Sequence, residues 1–204
     1  MNKTIFLCAV SLACVATVCA APAKGKVAAR RPAAQRSAAF PETAFRRTPY
    51  VGAIAVDAQT GEVLFERHAD AVARPASVTK LMTLLLCLED MHAFKYDPTT
   101  RVTASVRCCQ ERPSSVGLKP GQSMTVDDLL MSIMVRSAND AAVLLAEHST
   151  AANAGRAIEP GDLQAFVLRM NNKARELGMV HTHYATPNGY PPKPGSGRPF
   201  DTST

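Results

Sequence analysis

The sequence has too few cysteines in suitable positions to build a disulfide framework. It contains six cysteines in 204 residues, and three of them lie within the first 19. The remaining three are an odd number, and the adjacent pair Cys108-Cys109 is poorly placed for a mutual disulfide or a metal site. Cys87 lies in an apolar run and is predicted to be a small core residue. The sequence therefore excludes a small fold held together by disulfides.

Acidic residues are nearly absent from the first 49 positions, which carry eight Lys or Arg residues and a single acid, Glu42. The rest of the chain carries 15 basic and 16 acidic residues. The net charge of +6 therefore belongs to the N-terminal segment, which argues against a nucleic-acid-binding domain. A positive arm permits association with an anionic membrane surface or wall polymer. The alternative is a solvated, disordered spacer.

The apolar run of the N terminus, Ile5 to Val18, is too short for a comfortable membrane span. It has the length of the h-region of a secretory signal, and Lys3 supplies the positive start. Small residues before position 21 permit cleavage after Ala20. Residues 1–20 are therefore predicted to be a signal peptide, with a lipoprotein as the minor alternative because no leader cysteine has a well-formed lipid-attachment context. Residues 21–49, rich in Ala, Pro, Arg and Lys, predict a linker.

The remaining chain predicts a mixture of strands and helices, with no internal repeat. Alternating apolar residues flank a turn at residues 58–61, which predicts a β-hairpin. A helix, apolar nearly all round and therefore buried, is predicted to follow Pro75 and to end near residue 89 or 90. Further elements are predicted from caps and helical spacing: a short strand at 101–104, a helix capped by Thr125, a helix from Asp140, and a helix over about 161–177 that stops at Gly178.

Two polar groups stand out at the start of the first predicted helix, the Ser77 hydroxyl and the Lys80 amine. Their spacing of three residues places both side chains on one face of a helix. Burial lowers the pKa of a lysine and can make its amine a base near neutral pH. A base beside a hydroxyl at a helix N-terminus suits an activated serine nucleophile. The alternative is an N-cap serine beside a lysine that extends to solvent.

A second polar cluster, Ser137-Ala138-Asn139, falls between two apolar helices. A short polar kink there would project its side chains from a rigid support. The hydroxyl could relay protons, and the asparagine amide could bind a substrate peptide group. The alternative is local: Ser137 ends one helix, and Asn139 with Asp140 caps the next.

Together the two clusters match the order in which active-site serine β-lactamases and penicillin-binding proteins carry S-x-x-K and S-x-N-type motifs before a Lys-Thr-Gly motif. The chain resembles the low-molecular-mass penicillin-binding proteins, which are serine-type D-alanyl-D-alanine carboxypeptidases. The resemblance covers about residues 50–204, taken as the catalytic domain, and extends over several segments: 54–64, 75–83, 135–142, 170–179 and 186–190.

The resemblance implies a fold, a reaction and a location. The fold is α/β (α+β), with an antiparallel sheet sandwiched between helices. Ser77 would attack the bond between the last two D-alanines of a peptidoglycan stem peptide, and Lys80 would take its proton. Ser137 would pass a proton toward the departing D-alanine, and Asn139 would hold the amide on the acyl side. β-Lactam antibiotics would acylate the same serine, no cofactor is expected, and the protein would act in the periplasm or at the outer face of the cytoplasmic membrane.

The histidines at positions 181 and 183 superficially suggest a metal site. Two histidines two residues apart in a loop are weak evidence for one, and both are predicted to be surface residues. No metal is expected.

The chain departs from the family in one motif: no Lys-Thr-Gly follows Asn139. We therefore expect the sequence to be the N-terminal part of a longer chain that lacks the later strands of the sheet. We also expect these 204 residues alone to fold poorly and to have little carboxypeptidase activity.

Three other functions stay open: a non-catalytic, truncated wall-associated protein, a D,D-endopeptidase and a β-lactamase. The motifs do not separate carboxypeptidase from endopeptidase. Ala138 stands where class A β-lactamases carry Asp, which favours the carboxypeptidase over the β-lactamase.

Overall fold

A computed structural model describes residues 51–191 and 200–203. The predicted signal peptide, residues 1–20, and the predicted linker, residues 21–49, lie outside the described residues. The chain divides into two compact units, residues 1–69 and residues 70–204.

The described part of the first unit is the predicted β-hairpin. Strand β1 spans Ala53–Val56 and pairs antiparallel with strand β2, Val63–Arg67. The Asp57 carboxylate holds the turn, because its Oδ1 accepts from the backbone N–H groups of Gln59 and Thr60 at 3.0 and 2.7 Å. These bonds form an Asx-type turn of the kind that Asp favours. The prediction of a hairpin is confirmed.

The second unit packs four α-helices with a small antiparallel sheet. Helix α1 spans Lys80–His92, α2 spans Val126–Arg136, α3 spans Asn139–Asn153 and α4 spans Asp162–Glu176. Strand β3, Arg101–Thr103, pairs with strand β4, Ser123–Thr125. Helix α3 is buried along most of its length and packs against the other three helices. The core of the unit therefore forms around α3.

Several predicted boundaries are confirmed. Thr125 caps α2, since its Oγ1 accepts from the Asp128 N–H at 3.1 Å. Helix α4 ends before Gly178, whose φ of 77° is readily adopted by glycine. The predicted strand at 101–104 is β3. The sequence does not predict strand β4, because its three residues end at the helix cap itself and carry no strand pattern of their own.

The first helix is apolar nearly all round, but the prediction that it is therefore buried, with no exposed face, is wrong. Leu81 and Leu88 are 63% and 52% exposed, so α1 buries only part of its surface against the rest of its unit. The helix is also preceded by a 3-10 turn, Ala76–Thr79, and continues to His92.

Cys87 is buried as predicted, and Cys108 and Cys109 are free thiols. Over the described ranges, no helix combines the length and apolar composition required to cross a bilayer.

Candidate active site

The 3-10 turn before α1 brings the predicted serine and lysine together. Ser77 is exposed on this turn, whereas Lys80, the first residue of α1, is only 3% exposed. The Lys80 Nζ lies 3.2 Å from the Ser77 Oγ. An exposed hydroxyl beside a buried amine is the geometry expected of a nucleophile that substrate can reach and a base that water does not surround.

The environment of Lys80 favours its neutral form. Burial lowers the pKa of Lys80 from 10.5 to about 8, because an ammonium loses hydration in the protein interior. Nζ also donates to the carbonyl oxygen of Asn188 at 2.7 Å. A substantial fraction of the amine is thus unprotonated slightly above neutral pH and can accept a proton from a hydroxyl.

The segment Thr186–Tyr190 packs directly on the turn that carries Ser77. Gly189 has a φ of 70°, and a Cβ at this position would lie 1.8 Å from the Ala76 carbonyl oxygen. Only glycine permits this approach. Ala76 has a φ of 48°, an uncommon conformation for a residue with a Cβ and one that often occurs at functional sites.

Asp201 joins this segment to the same turn. Its Oδ2 accepts from the hydroxyls of Thr79 and Thr186, each at 3.0 Å, and its Oδ1 accepts from the Thr186 N–H at 3.0 Å. Thr83 of α1 adds a bond from its Oγ1 to the Pro187 carbonyl at 2.6 Å. The position of the Asn188 carbonyl relative to Lys80 is therefore fixed from several sides.

The second polar cluster forms the junction between α2 and α3. Ser137 ends α2 with a φ of 53°, and Ala138 is extended before α3 begins at Asn139. The Asn139 N–H donates to the Ser114 carbonyl at 2.7 Å, and the Ser114 Oγ donates to the Arg136 carbonyl at 2.9 Å. Ser114 thus holds both sides of the kink.

The alternative in which Asn139 and Asp140 cap α3 is wrong in its details. The N-cap position is Ala138, and it makes no side-chain cap bond. The Asp140 carboxylate accepts from the adjacent Ala141 N–H at 2.9 Å and, from outside the helix, from the backbone N–H groups of residues 116–118 at 3.1, 3.0 and 3.1 Å. This buried acid fixes the loop that lies beside the kink.

The predicted site residues thus fall into two groups, one contacting pair and the junction between two helices. Ser77 and Lys80 are in direct contact, whereas Ser137 and Asn139 lie at the junction of α2 and α3. Sequence reasoning missed the roles of Ser114, Asp140 and Asp201, because their partners are more than ten residues away and no local pattern signals them.

His181 and His183 are both exposed, as predicted. Among the residues that the structure describes, no cluster of three or more His, Cys, Asp or Glu side chains is arranged to hold a metal ion.

Comparison with known proteins identifies one family. The family model described as D-alanyl-D-alanine carboxypeptidase matches residues 48–194. A curated relative from Bacillus subtilis, D-alanyl-D-alanine carboxypeptidase DacF, is 34% identical over 137 residues, which cover 67% of this chain and 33% of the relative. The chain thus spans about a third of the length of this relative.

Solved structures show the same similarity. The D-alanyl-D-alanine carboxypeptidase DacD from Francisella tularensis matches with a TM-score of 0.67 and 27% identity, over 86% of this chain and 37% of that one. Penicillin-binding protein D2 from Listeria monocytogenes, in its ampicillin-bound form, matches with a TM-score of 0.60 and 26% identity, over 76% of this chain and 56% of that one. The predicted fold class, that of the penicillin-binding proteins, is confirmed.

Proposed function

Because the chain belongs to the D-alanyl-D-alanine carboxypeptidase family, we propose that it carries the nucleophile and base of an enzyme that trims peptidoglycan stem peptides. The substrate is a stem peptide that ends in D-Ala-D-Ala, and the product is the peptide shortened by one D-alanine. The observation that carries this proposal is the 3.2 Å contact between the exposed Ser77 hydroxyl and the buried Lys80 amine.

The proposed reaction has two stages, each using the same serine. Lys80 takes the proton of Ser77 as Oγ attacks the carbonyl carbon of the penultimate D-alanine. Ser137 passes a proton to the amine of the departing D-alanine, which leaves an ester on Oγ. The Asn139 amide binds the peptide group on the acyl side. Water then attacks the ester, and Ser77 regains its proton as the shortened peptide leaves.

The same serine is the proposed target of β-lactams. The Listeria protein, a solved structural neighbour, is known in an ampicillin-bound form. A β-lactam presents a strained amide to the Ser77 Oγ, and ring opening gives an acyl-enzyme. We expect slow hydrolysis of this ester, because a penicillin-binding protein is inhibited by the antibiotic rather than turning it over.

Export completes the proposal. The leader-like composition of residues 1–20 supports secretion to the periplasm or the outer face of the cytoplasmic membrane, where the substrate occurs. The positive residues between 21 and 49 support association of this arm with an anionic surface.

The test is covalent labelling of the complete gene product with a fluorescent penicillin. We expect stoichiometric labelling of the tryptic peptide that contains Ser77, and loss of at least about 1,000-fold in the labelling rate of Ser77→Ala. Ser132→Ala, on α2, is the matched control and should label normally. Equal labelling of Ser77→Ala and the unmodified protein contradicts the proposal.

Product analysis then separates the neighbouring activities. Release of free D-alanine from a D-Ala-D-Ala pentapeptide supports the carboxypeptidase. Cleavage of cross-linked muropeptides without D-alanine release indicates an endopeptidase, and fast turnover of the penicillin indicates a β-lactamase.

A further inference from the structure

Asn188 contacts Lys80 through its backbone carbonyl oxygen. Both polar atoms of its side-chain amide are also hydrogen-bonded. Its Nδ2 donates to the Oε2 of Glu111 at 3.1 Å, and its Oδ1 accepts from the Tyr190 N–H at 2.9 Å. Asn188 is 3% exposed, so bulk water does not compete for these bonds. Because both amide atoms are hydrogen-bonded, the side chain of Asn188 has one orientation. These bonds also restrict the backbone carbonyl of the same residue.

Glu111 is itself fixed by the turn that precedes it. A 3-10 turn spans Cys108–Gln110, and the Glu111 N–H donates to the Cys108 carbonyl at 3.1 Å. The Ser105 Oγ accepts from the Cys108 N–H at 3.1 Å and donates to Glu147 of α3 at 2.7 Å. Glu111 therefore extends from a turn that is anchored to the buried helix α3.

The Asn188 carbonyl beside Lys80 can orient the lysine amine as well as pack against it. A neutral amine removes a proton through its single lone pair, so its orientation decides whether it acts as a base. The Asn188 carbonyl accepts one N–H at 2.7 Å, which restricts rotation of the amine. The lone pair then remains available to the Ser77 Oγ. A backbone carbonyl does not take up the proton itself, so it orients the base without competing with it.

We propose that Glu111 and the side chain of Asn188 are positioning residues for the general base. The Glu111 carboxylate clamps Asn188, and the Asn188 carbonyl holds the Lys80 amine toward the Ser77 hydroxyl. The proposal rests on the proposed function of Ser77 and Lys80, and it extends the site to a turn about 30 residues from either motif in sequence.

The experiment compares three Glu111 variants and one control variant of the complete gene product, and a fifth variant assigns the NMR signal. Glu111→Gln keeps an acceptor for the Asn188 Nδ2, Glu111→Ala removes it, and Glu111→Asp keeps the charge but shortens the reach. Glu176→Ala removes an exposed acid on α4 as a control. For each protein, the rate of acylation by a fluorescent penicillin is measured against pH, and the Lys80 Cε is titrated by NMR after selective 13C labelling. Lys80→Arg identifies the signal, and thermal unfolding monitors stability.

We expect Glu111→Gln and Glu176→Ala to acylate within about two-fold of the unmodified protein. Glu111→Ala and Glu111→Asp should acylate about ten-fold more slowly at pH 7, since small displacements of a catalytic group have large effects on rate. In these two variants the midpoint of the pH–rate profile and of the Lys80 titration moves to lower pH, because the ammonium form loses its carbonyl acceptor. A merely structural role would lower thermal stability without displacing the titration.

Two results overturn the inference. One is unchanged acylation and an unchanged Lys80 titration in both Glu111→Ala and Glu111→Asp. The other is an equal loss of rate in Glu111→Gln and Glu111→Ala without any displacement of the titration. If the unmodified protein takes up no penicillin, the proposed function fails, and the Lys80 titration alone then decides the inference.

Discussion

At the scale of single residues, Lys80 is an ordinary amine in an environment that suits its neutral form. It is 3% exposed, and burial lowers its pKa from 10.5 to about 8. The same burial that supports the proposed role of Lys80 as a base makes its charged form costly in the folded state. One pKa unit corresponds to about 1.4 kcal/mol, so below pH 8 the cost is about 3 kcal/mol.

This cost predicts a pH-dependent stability. Below pH 8 Lys80 is charged in both states and the folded protein bears the full cost. Between about pH 8 and the ordinary value of 10.5, the folded amine is neutral while the unfolded chain still binds the proton, so stability rises with pH. Lys80→Met should lack this rise, and Lys95→Met, which removes an exposed lysine, should retain it. Urea unfolding of the three proteins between pH 7 and 10 measures the difference, and parallel curves for the unmodified protein and Lys80→Met contradict it.

The sequence predicts the contact between Ser77 and Lys80 because it depends on local spacing alone. The residues that position Lys80 from distant parts of the chain are not predictable from local spacing. Asn188 is 108 residues from Lys80, and Asp201 is 122 residues from Thr79. Bonds of this kind depend on how distant segments pack, which no short pattern encodes.

At the scale of elements, the junction of α2 and α3 depends on the loop beside it. Asp140 is fully buried, and its carboxylate receives three consecutive backbone N–H groups from the loop at 116–118. Several donors around one carboxylate stabilise a buried charge that would otherwise be unfavourable. The loop and the helix start therefore form one structural unit.

Removal of this carboxylate should destabilise the protein strongly. Asp140→Ala leaves the three N–H groups of this loop without their acceptor, that of the buried Leu118 among them. We therefore expect a loss of about 3 kcal/mol in the free energy of unfolding. Asp127→Ala, in the exposed first turn of α2, is the matched control and should cost less than about 1 kcal/mol. Chemical denaturation measures both. Equal effects of the two substitutions would show that the Asp140 bonds are not important for stability.

The same scale explains which elements the sequence predicts. The hairpin and α4 follow from alternation, turn residues and helical spacing, which are local properties. The buried side of α1 cannot be predicted from these local properties, because an apolar composition does not specify which side contacts the core. Leu81 and Leu88 are apolar and nevertheless exposed.

At the scale of the whole molecule, the charge is divided along the chain. The first 49 residues carry nearly all of the excess positive charge, whereas the remainder is close to neutral. This division is the basis of the proposal that the first 49 residues serve export and association with an anionic surface.

Export is tested by the N terminus of the mature protein. We expect cleavage after Ala20, so that the protein recovered from the periplasm of a bacterial host begins at Ala21. Leu7→Asp places a charge in the apolar h-region and should leave the precursor uncleaved in the cytoplasm. N-terminal sequencing and mass spectrometry measure both outcomes. A mature chain that begins with a lipid-modified Cys19 supports the lipoprotein alternative, and an intact Met1 in the periplasmic fraction contradicts cleavage.

The close approach of Gly189 to the serine turn has a consequence for how this site tolerates genetic change. Any missense change of the Gly189 codon adds a Cβ, and that atom would lie 1.8 Å from the Ala76 carbonyl oxygen and 2.9 Å from the Thr79 Cβ. Neither neighbour is the flexible end of a long side chain, so relief requires movement of the backbone beside Ser77. If every residue of the site is replaced in turn by all others, substitutions at Gly189 should abolish function as often as substitutions of the proposed nucleophile Ser77. Gly189 nevertheless contributes no reactive atom. A position of this site can thus be intolerant of mutation because it lacks a side chain.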